Sequence, residues 1–323
     1  MSRNNMNMPW TEKYRPKTLD EIIDHKSKID TLKSLIKSNE LTHLLFYGAP
    51  GSGKTSMIHA CAYEIYGENY KSFVLELNAS NERGIDTVRE TIPNFLKIYS
   101  TKMKLVILDE ADAMTNDAQC ALKRMIELYS KVSRFCIICN NISKINPGIR
   151  SRCMELKFTN LNVSQIVSKL EQIIKLENIN ITPQAIYSLV NINSDFRQIL
   201  NILQCLHSAS VYSNEVITNN TIYMYLGYPT EKDILECIRI LNIPSFKESA
   251  NLFYDLYLNH KWDLHDILLL LNKYILNTSS ISNDNMIKII TKLSDIEYKI
   301  VNLHDLEIQI YSLVAEWHNI FKE

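Results

Sequence analysis

The amino-acid sequence predicts an α/β domain with a mostly parallel sheet, followed by two all-helical domains. Up to about Leu161, short apolar runs alternate with stretches of helical periodicity, which is typical of a parallel sheet covered by helices. After Leu161 only helical periodicity remains. With 323 residues, 46 % of them hydrophobic, the chain is long enough for about two or three packed domains. We therefore expect an α/β domain over residues 1–161 and helical domains over 162–227 and 228–323.

Five apolar runs are the candidate strands of the sheet. They are HLLFY, FVLEL, KLVILD, RFCIIC and MELKF, at residues 43–47, 73–77, 104–109, 134–139 and 154–158. Cys136 and Cys139 form a C-x-x-C within the fourth run, and an odd offset along a strand directs the two side chains to opposite faces. No second cysteine pair accompanies them in the sequence, so we expect both thiols to pack in the core rather than to bind zinc.

The remainder of the chain is predicted to be helical. Three helices are expected at 163–177, 183–191 and 196–212, and Thr182 before Pro183 is a typical helix start. Gly227 and Pro229 interrupt the pattern. Five further helical segments follow from Glu231, and the last of them covers 305–321.

The composition of the chain bears on three questions, which are nucleic-acid binding, disulfide formation and membrane insertion. The net charge of −1 does not mark a nucleic-acid binder, so any contact with phosphates would need a local basic surface. The seven cysteines are odd in number and irregularly spaced, which favours reduced thiols. No apolar run reaches the roughly 18–20 residues that span a bilayer, and the first ten residues lack the apolar core of a signal peptide. We therefore expect an intracellular, non-secreted protein without a membrane partner.

A nucleotide-binding motif follows the first predicted strand. The segment GAPGSGKT fits G-x-x-x-x-G-K-[ST] in full, between an apolar strand and a helix. Backbone N–H groups of such a loop surround phosphate oxygens, the lysine reaches the β- and γ-phosphates, and the threonine hydroxyl ligates Mg²⁺. The predicted ATP-binding residues of this loop are Gly48, Ala49, Pro50, Gly51, Ser52, Gly53, Lys54, Thr55 and Ser56.

An acidic pair about fifty residues later completes a hydrolytic site. The run LVILDEAD is an apolar strand that ends in Asp109 and Glu110. Alone, such a pair is usually a solvated strand end. After a nucleotide-binding loop, however, Asp109 is expected to hold Mg²⁺ together with Thr55, and Glu110 to orient and deprotonate the attacking water.

Six motifs follow one another over roughly the first 200 residues: PWTEKYRP, FYGAPGSGKTS, LELNASNERGID, LDEADAMT, RFCIICN and SRC. In this order they resemble the motifs of the small subunits of replication factor C, a clamp loader of the AAA+ family. The resemblance implies a P-loop AAA+ core with a parallel five-stranded sheet in the order 5-1-4-3-2. It also implies that the helical segments are a lid domain and a C-terminal collar domain through which subunits assemble.

The resemblance also assigns roles to single residues. Asn140 matches the residue that contacts the attacking water or the γ-phosphate, although the adjacent Asn141 competes for that role. Arg197 matches the arginine of the lid, where Ser194 stands in place of a usual glycine. Arg152 matches the arginine finger that acts on the nucleotide of a neighbouring subunit. An ordinary surface ion pair is the alternative for each arginine.

The N-terminal motif and the ring position follow from the same resemblance. Trp10, Tyr14 and Arg15 resemble part of an adenine pocket, and a peripheral strap over the core is the alternative. Because the chain retains both the nucleotide motifs and Arg152, we expect an interior position in a ring of one large and four small subunits. Its sequence does not decide which interior position.

Contacts with DNA and with the clamp are also implied. Arg83, Arg89 and Lys144 are the candidates for contacts with DNA phosphates, which a loader must bind independently of sequence. The segment IPNFLKIYS resembles the plug that enters a pocket of the sliding clamp. Its candidate clamp-binding residues are Ile92, Phe95, Leu96 and Tyr99, for some of which core packing is the alternative.

The expected function is ATP-driven loading of a PCNA-type sliding clamp onto primer–template DNA during replication. The expected cofactors are ATP and Mg²⁺, and the expected partners are the other replication factor C subunits, the clamp and DNA. Such a protein would act in the nucleus of a eukaryotic cell or at the replication site of a large DNA virus. A branch-migration helicase, an origin factor and a non-hydrolysing scaffold subunit are the alternatives. The first two would require a winged-helix domain after the lid, which the helical pattern from Glu231 does not offer.

Overall fold

The structure is a computed structural model that describes residues 8–80, 85–193, 195–213, 215–260, 262–278, 282–302 and 305–321. The chain divides into two compact units, residues 1–215 and 216–323. Helices of the predicted lid up to residue 213 therefore belong to the first unit. The finer division at residues 161 and 227 stays a prediction.

The first unit contains a five-stranded parallel sheet. Its strands are β1 Leu44–Gly48, β2 Val74–Asn78, β3 Lys104–Asp109, β4 Ser133–Cys139 and β5 Met154–Phe158. The strand order is β2-β3-β4-β1-β5, and every neighbouring pair is parallel. This is the predicted order read from the other edge, so the prediction of the α/β core is confirmed. Because β1, β4 and β3 are neighbours, the loops that follow them meet at the carboxyl edge of the sheet.

The described part of the first unit contains nine α-helices. In chain order they are α1 Trp10–Lys13, α2 Lys26–Lys37, α3 Lys54–Tyr66, α4 Ile85–Lys97, α5 Asn116–Leu128, α6 Pro147–Arg150, α7 Val163–Glu177, α8 Pro183–Ile192 and α9 Phe196–Ser213. Of these helices, α2 and α3 cover one face of the sheet and α4 and α5 cover the other. Side chains alternate along each strand, so Leu44 and Phe46 pack with α2 and α3, whereas Leu45 packs with α4 and α5. The result is a three-layer α/β/α core.

The two cysteines of the C-x-x-C follow the same alternation. Cys136 packs in the cluster formed with α2 and α3, and Cys139 packs in the cluster on the other face. Both are buried, and burial raises the pKa of Cys139 to about 12 and that of Cys136 well above its usual range. Both thiols are therefore packing residues of the core.

Helices predicted after the sheet form with nearly the predicted boundaries. Thr182 begins α8 as predicted: its hydroxyl accepts a hydrogen bond from the backbone N–H of Ala185 at 3.4 Å, and Pro183 is the first helical residue. Asn162 begins α7 in a similar way, because its side chain accepts from the backbone N–H of Ser164. Side-chain caps therefore fix where these helices start.

Described residues of the second unit form six helices. They are α10 Asn219–Leu226, α11 Glu231–Leu241, α12 Phe246–His260, α13 Leu264–Asn277, α14 Asn283–Asn302 and α15 Leu306–Phe321. The last five are the predicted ones, and their core includes the buried Trp262 and Trp317. Within the described residues, no helix combines the length and the apolar character needed to cross a bilayer.

The short helix α10 was not predicted. Its start is a capping box in which Thr218 and Thr221 exchange side-chain and backbone hydrogen bonds, and it ends at Gly227 with a φ of 65°. A Glu or Gln at the second position of the box is the usual sequence signal, and here a threonine replaces it. Gly227 was recognised only as a break because eight residues are too few for a clear helical period.

Candidate active site

The loop between β1 and α3 adopts a conformation that needs its glycines. Gly48 has a φ of +147°, and a Cβ there would lie 1.9 Å from the carbonyl oxygen of Phe158 in β5. Gly51 has a φ of +70°, and a Cβ there would lie 2.1 Å from Oδ1 of Asp195. Both positions therefore exclude a side chain, for steric as well as conformational reasons. The hydroxyl of the buried Ser52 donates to the carbonyl oxygen of Ala49 at 2.7 Å and tightens the loop.

Lys54 turns its ammonium group towards the centre of this loop. Its Nζ donates to the carbonyl oxygens of Gly48 and Ala49, at 2.8 Å each, and to Oδ1 of Asn140 at 3.0 Å. Burial lowers the pKa of Lys54, and the nearby carboxylates of Asp109 and Asp112 oppose that shift. A buried cation held by neutral oxygens is placed to attract phosphate oxygens.

A hydroxyl and a carboxylate that could hold a metal ion are joined to each other in the same cleft as the lysine. The Thr55 hydroxyl donates to Oδ2 of Asp109 at 2.8 Å, which joins the first turn of α3 to the end of β3. Within the described residues, no group of three or more His, Cys, Asp or Glu side chains is arranged around a metal position. One hydroxyl and one carboxylate suit Mg²⁺, which keeps much of its shell as water and phosphate oxygens.

Glu110 follows Asp109 in a left-handed backbone conformation, with a φ of 55°. This conformation is uncommon for a residue other than glycine and costs free energy. The backbone N–H of Glu110 donates to Oδ1 of Asp109 at 2.8 Å, and its exposed side chain lines the same cleft as Lys54. The sharp turn thus separates the two carboxylates, so that Asp109 points to Thr55 and Glu110 to solvent in the cleft.

The geometry distinguishes the two asparagines after β4. Asn140 lines the cleft and accepts from Lys54. Asn141 instead begins a short turn, where its Oδ1 accepts from the backbone N–H of Ser143 at 3.0 Å, while its own N–H donates to Asp112. Asn140 is therefore the one that faces the phosphate-binding loop.

Helix α9 closes one side of the cleft. Arg197 lines the cleft in its first turn, and its backbone N–H donates to Oδ1 of Asp195 at 2.8 Å. Ser194 lies outside the described residues. The carboxylate of Asp195 reaches Gly51, so the start of α9 packs directly on the phosphate-binding loop.

The N-terminal segment forms part of the wall of the cleft. Tyr14 and Arg15 line it as predicted, whereas Trp10 is buried against α9 and is not one of the lining residues. Sequence reasoning missed further lining residues, which are Thr11, Glu12, Pro16, Ile22, Ile23, Leu161, Lys169, Phe196 and Leu200. The first three belong to the motif around Tyr14, but the apolar ones carry no signal that separates a cleft wall from a core.

Arg152 lies outside this cleft. Its guanidinium group pairs with Glu127 at 2.6 Å and donates to the carbonyl oxygen of Gly148 at 2.6 Å. About a third of its side chain is exposed. The group is thus held at the surface and does not line the cleft of its own chain.

The candidate DNA-binding residues are only partly described. Arg83 lies outside the described residues. Arg89 on α4 and Lys144 after β4 are exposed, which a phosphate contact requires. The carbonyl oxygen of Lys144 accepts from Nε2 of Gln119, so the backbone of its turn is anchored to α5.

Two of the four candidate clamp-binding residues are core residues, which corrects the prediction for them. Ile92 is fully buried and Leu96 is 6 % exposed, both in the cluster between the sheet and α4. Phe95 is half-buried, with the Lys104 ammonium group 4.7 Å from its ring centre. Tyr99 is 90 % exposed, and the neighbouring Ile98, which was not predicted, is 65 % exposed. Ile98 and Tyr99, here named the apolar tip, are thus the strongly exposed apolar side chains of this segment. Clamp binding by Phe95 and Tyr99 stays a prediction.

The family models and relatives that this chain matches are those of ATPases and replication factor C subunits. Residues 44–161 match the family model "ATPase family associated with various cellular activities (AAA)", and residues 229–316 match "Replication factor C C-terminal domain". "Probable replication factor C subunit 5" of Dictyostelium discoideum is 43 % identical over 316 residues, which cover 95 % of this chain and 90 % of that protein. "Replication factor C subunit 5" of Homo sapiens is 40 % identical over 314 residues, covering 96 % of this chain and 91 % of that protein.

A solved structure of the Thermotoga maritima RuvB Holliday junction branch migration motor is similar in fold. Its TM-score is 0.57 at 16 % identity, with 80 % of this chain and 91 % of that chain covered. At that identity the similarity concerns the fold alone. The relatives that extend over nearly the whole chain are the replication factor C subunits, and this chain belongs to the replication factor C subunit family, with an AAA ATPase domain at residues 44–161.

Proposed function

We propose that this chain is a small subunit of a replication factor C clamp loader, which binds and hydrolyses ATP to load a PCNA-type sliding clamp onto primer–template DNA. The observation that carries the proposal is the cleft, in which Lys54, Asp109 and Asn140 converge from three different elements. Membership of the family over nearly the whole chain supplies the biological role.

In the proposed mechanism, the phosphate-binding loop holds ATP by its backbone N–H groups at the start of α3. Lys54 neutralises the β- and γ-phosphates. Thr55 and Asp109 would hold Mg²⁺, which supplies positive charge for the transferred phosphoryl group. Glu110 accepts a proton from the attacking water, and Asn140 orients that water or the γ-phosphate. Arg197 adds positive charge from α9.

Arg152 is proposed to act on the nucleotide of a neighbouring subunit. Its exposed position outside its own cleft supports this role, because a finger must leave its own chain to reach another. The pair with Glu127 is a surface ion pair, which costs little to break when a phosphate competes for the guanidinium group. ATP then binds at subunit boundaries, and hydrolysis depends on assembly.

DNA and clamp contacts complete the proposal. Arg83, Arg89 and Lys144 bind DNA phosphates, and the apolar tip enters a pocket on the clamp. We further propose a ring of one large and four small subunits, with this chain at an interior position. ATP binding then orders the subunits around DNA, and hydrolysis releases the closed clamp. Such a protein acts inside the cell, where DNA is replicated.

Two other functions have less support. A branch-migration motor shares the fold, but residues 229–316 match a replication factor C domain instead. A scaffold subunit that binds ATP without hydrolysis would not need Glu110 held in a costly backbone conformation beside Asp109.

The test is ATP hydrolysis by an assembly of this chain with the other subunits of its loader. We expect the clamp together with primed DNA to stimulate hydrolysis. Arg152→Ala should lower stimulated hydrolysis by about ten-fold or more, because a finger stabilises transition-state charge. Arg239→Ala, which removes an exposed arginine paired with Glu236 in the second unit, is the matched control. Brisk hydrolysis by the isolated chain, without response to partners or DNA, would contradict the proposal.

A further inference from the structure

The N-terminal segment is attached to the helices of the first unit rather than to the sheet. Residues 10–16, here named the strap, contribute Tyr14 and Arg15 to the cleft. Their polar anchors lie on α7 and α9. The strap therefore connects the wall of the cleft to α7 and α9, two helices that the sequence assigns to the lid.

One carboxylate oxygen receives two donors from the strap. Oε1 of Glu177, the last residue of α7, accepts from the hydroxyl of Tyr14 and from the ammonium group of Lys13. The side chain of Glu177 is only 17 % exposed. A hydrogen bond to a charged acceptor that is shielded from water is among the stronger kinds in a protein.

The protonation states suit this arrangement. Burial acts to raise the pKa of Glu177, but the hydrogen bonds from Lys13 and Tyr14 outweigh it and keep that pKa below its usual value. Burial is also the largest cause that raises the pKa of Tyr14, and its hydrogen bond with Glu177 adds to it. Near neutral pH the phenol is therefore a donor and the carboxylate an acceptor.

A second anchor holds the other end of the strap. The backbone N–H of Trp10 donates to Oε1 of Gln204 at 2.9 Å, and its ring lies 5.6 Å from that of His207. Trp10 also meets the Tyr14 ring edge-on at 6.3 Å. Because Trp10 fixes only the ring of Tyr14 from one side, the hydroxyl depends on Glu177 for its direction.

We propose that Glu177 is a positioning residue for nucleotide binding: it orients Tyr14 at the wall of the cleft. The inference rests on the proposed ATP site, since it assigns a role to the strap in that same cleft. Glu177 does not line the cleft itself, so it acts through Tyr14. Without the carboxylate, the Tyr14 hydroxyl loses its acceptor and the ring is free to leave the wall. Nucleotide affinity then falls although every phosphate-binding residue is intact.

The test is equilibrium titration of the full chain with ATP and, separately, with inorganic tripolyphosphate. Glu177→Met removes both acceptor oxygens, and Glu177→Gln keeps one of them. We expect ATP affinity to fall by about three- to ten-fold in Glu177→Met and by less in Glu177→Gln. Tripolyphosphate affinity should be unchanged, because Lys54 is held by Gly48, Ala49 and Asn140, none of which contacts Glu177 through a hydrogen bond. Glu171→Met, on the exposed face of the same helix, is the matched control and should bind ATP normally.

A Tyr14→Phe background separates positioning from a general structural role. There the effect of Glu177→Met should shrink to less than two-fold, because no hydroxyl remains to be oriented. An undiminished effect in that background, an equal loss of tripolyphosphate affinity, or normal ATP affinity in both Glu177 variants would each overturn the proposal. If Glu177→Met does not fold, Glu177→Gln carries the same comparison. Failure of the unaltered chain to bind ATP would instead contradict the proposed function.

Discussion

The two edges of the parallel sheet differ in how their side chains are held. At the carboxyl edge, Lys54, Asp109 and Asn140 are fixed by hydrogen bonds to one another or to the phosphate-binding loop. At the amino edge, exposed apolar side chains precede the strands and point to solvent. They are Ile98, Tyr99, Leu128 and Val132.

This difference separates polar side chains that are bonded within the chain from apolar side chains that are exposed to water. At the carboxyl edge, Lys54, Asp109 and Asn140 have hydrogen-bond partners within the chain, so their geometry exists before any ligand binds. The amino edge leaves apolar area in water, and covering that area with another molecule would be favourable. The backbone at and before the apolar tip is anchored, because the Lys104 ammonium group donates to the carbonyl oxygens of Phe95 and Ile98 at 2.5 Å each.

The largest effect is expected at the carboxyl edge. Glu110→Gln should lower the turnover number of this site by about 100- to 10,000-fold, because the amide cannot take a proton from water. ATP affinity should stay within two-fold, since Glu110 bonds to none of the residues of the phosphate-binding loop. Single-turnover hydrolysis and ATP titration measure the two quantities, with Asp117→Asn, exposed on α5, as the control. Equal losses of ATP affinity and of turnover number would contradict the conclusion that the geometry of the ATP site exists before ATP binds.

A glycine pair tests the tight packing of the same edge. Gly51 and Gly67 both have a φ of +70°, but a Cβ at Gly67 has nothing within 4 Å, whereas one at Gly51 meets Asp195. The backbone strain of about 1–3 kcal/mol is common to both positions. We expect Gly51→Ala to weaken ATP binding by about ten-fold or more, because its Cβ would collide with Asp195 at the wall of the cleft, and Gly67→Ala to leave ATP binding nearly unchanged. ATP titration of both variants checks this, and equal affinities would contradict a close contact between the loop and α9.

A smaller effect is expected at the amino edge. Tyr99→Ala should weaken binding of the assembled loader to the clamp by about three- to ten-fold, because it removes an exposed aromatic side chain from the apolar tip. Tyr212→Ala is the matched control, since Tyr212 on α9 is 93 % exposed. Clamp affinity measured by surface immobilisation distinguishes them. If both variants bind the clamp normally, the apolar tip is not the docking surface.

The smallest effect is a pH dependence of stability at the amino edge. His43 precedes β1, its Nδ1 accepts from the backbone N–H of Phe135 at 3.2 Å, and burial lowers its pKa to about 4. Between pH 4 and the ordinary histidine pKa of about 6.5, the unfolded chain therefore binds the proton and the folded chain does not. The contribution of neutral His43 to the free energy of unfolding is complete above that pH range and is lost as the pH falls through it.

Urea unfolding across this range tests the sign. His43→Asn keeps an acceptor for Phe135 but cannot titrate. The slope of the free energy of unfolding against pH should therefore decrease by the equivalent of up to about one bound proton. An unchanged pH slope in this variant would show that His43 does not carry the dependence.

The sequence predicts a structural feature of this protein only where that feature requires particular residue types. The loop from Gly48 to Thr55 and the pair Asp109–Glu110 were predictable because their chemistry requires those residue types in that context. The strands were predictable because a buried parallel sheet needs continuous apolar runs. By contrast, α4 carries one apolar stripe, and no pattern shows whether Ile92 and Leu96 face the core or a partner. The sequence also does not show that Ile22, Ile23 and Leu200 line the cleft, because the core of a domain and the apolar wall of a cleft use the same residue types.

The most direct test of the account is whether nucleotide at the carboxyl edge controls the affinity of the amino edge for the clamp. Clamp binding is measured with an assembly that contains Glu110→Gln, with and without saturating ATP, so that hydrolysis does not intervene. We predict that ATP raises clamp affinity by about five-fold or more, and that Tyr99→Ala in the same assembly reduces that gain. Clamp affinity that is the same with and without ATP would contradict the account.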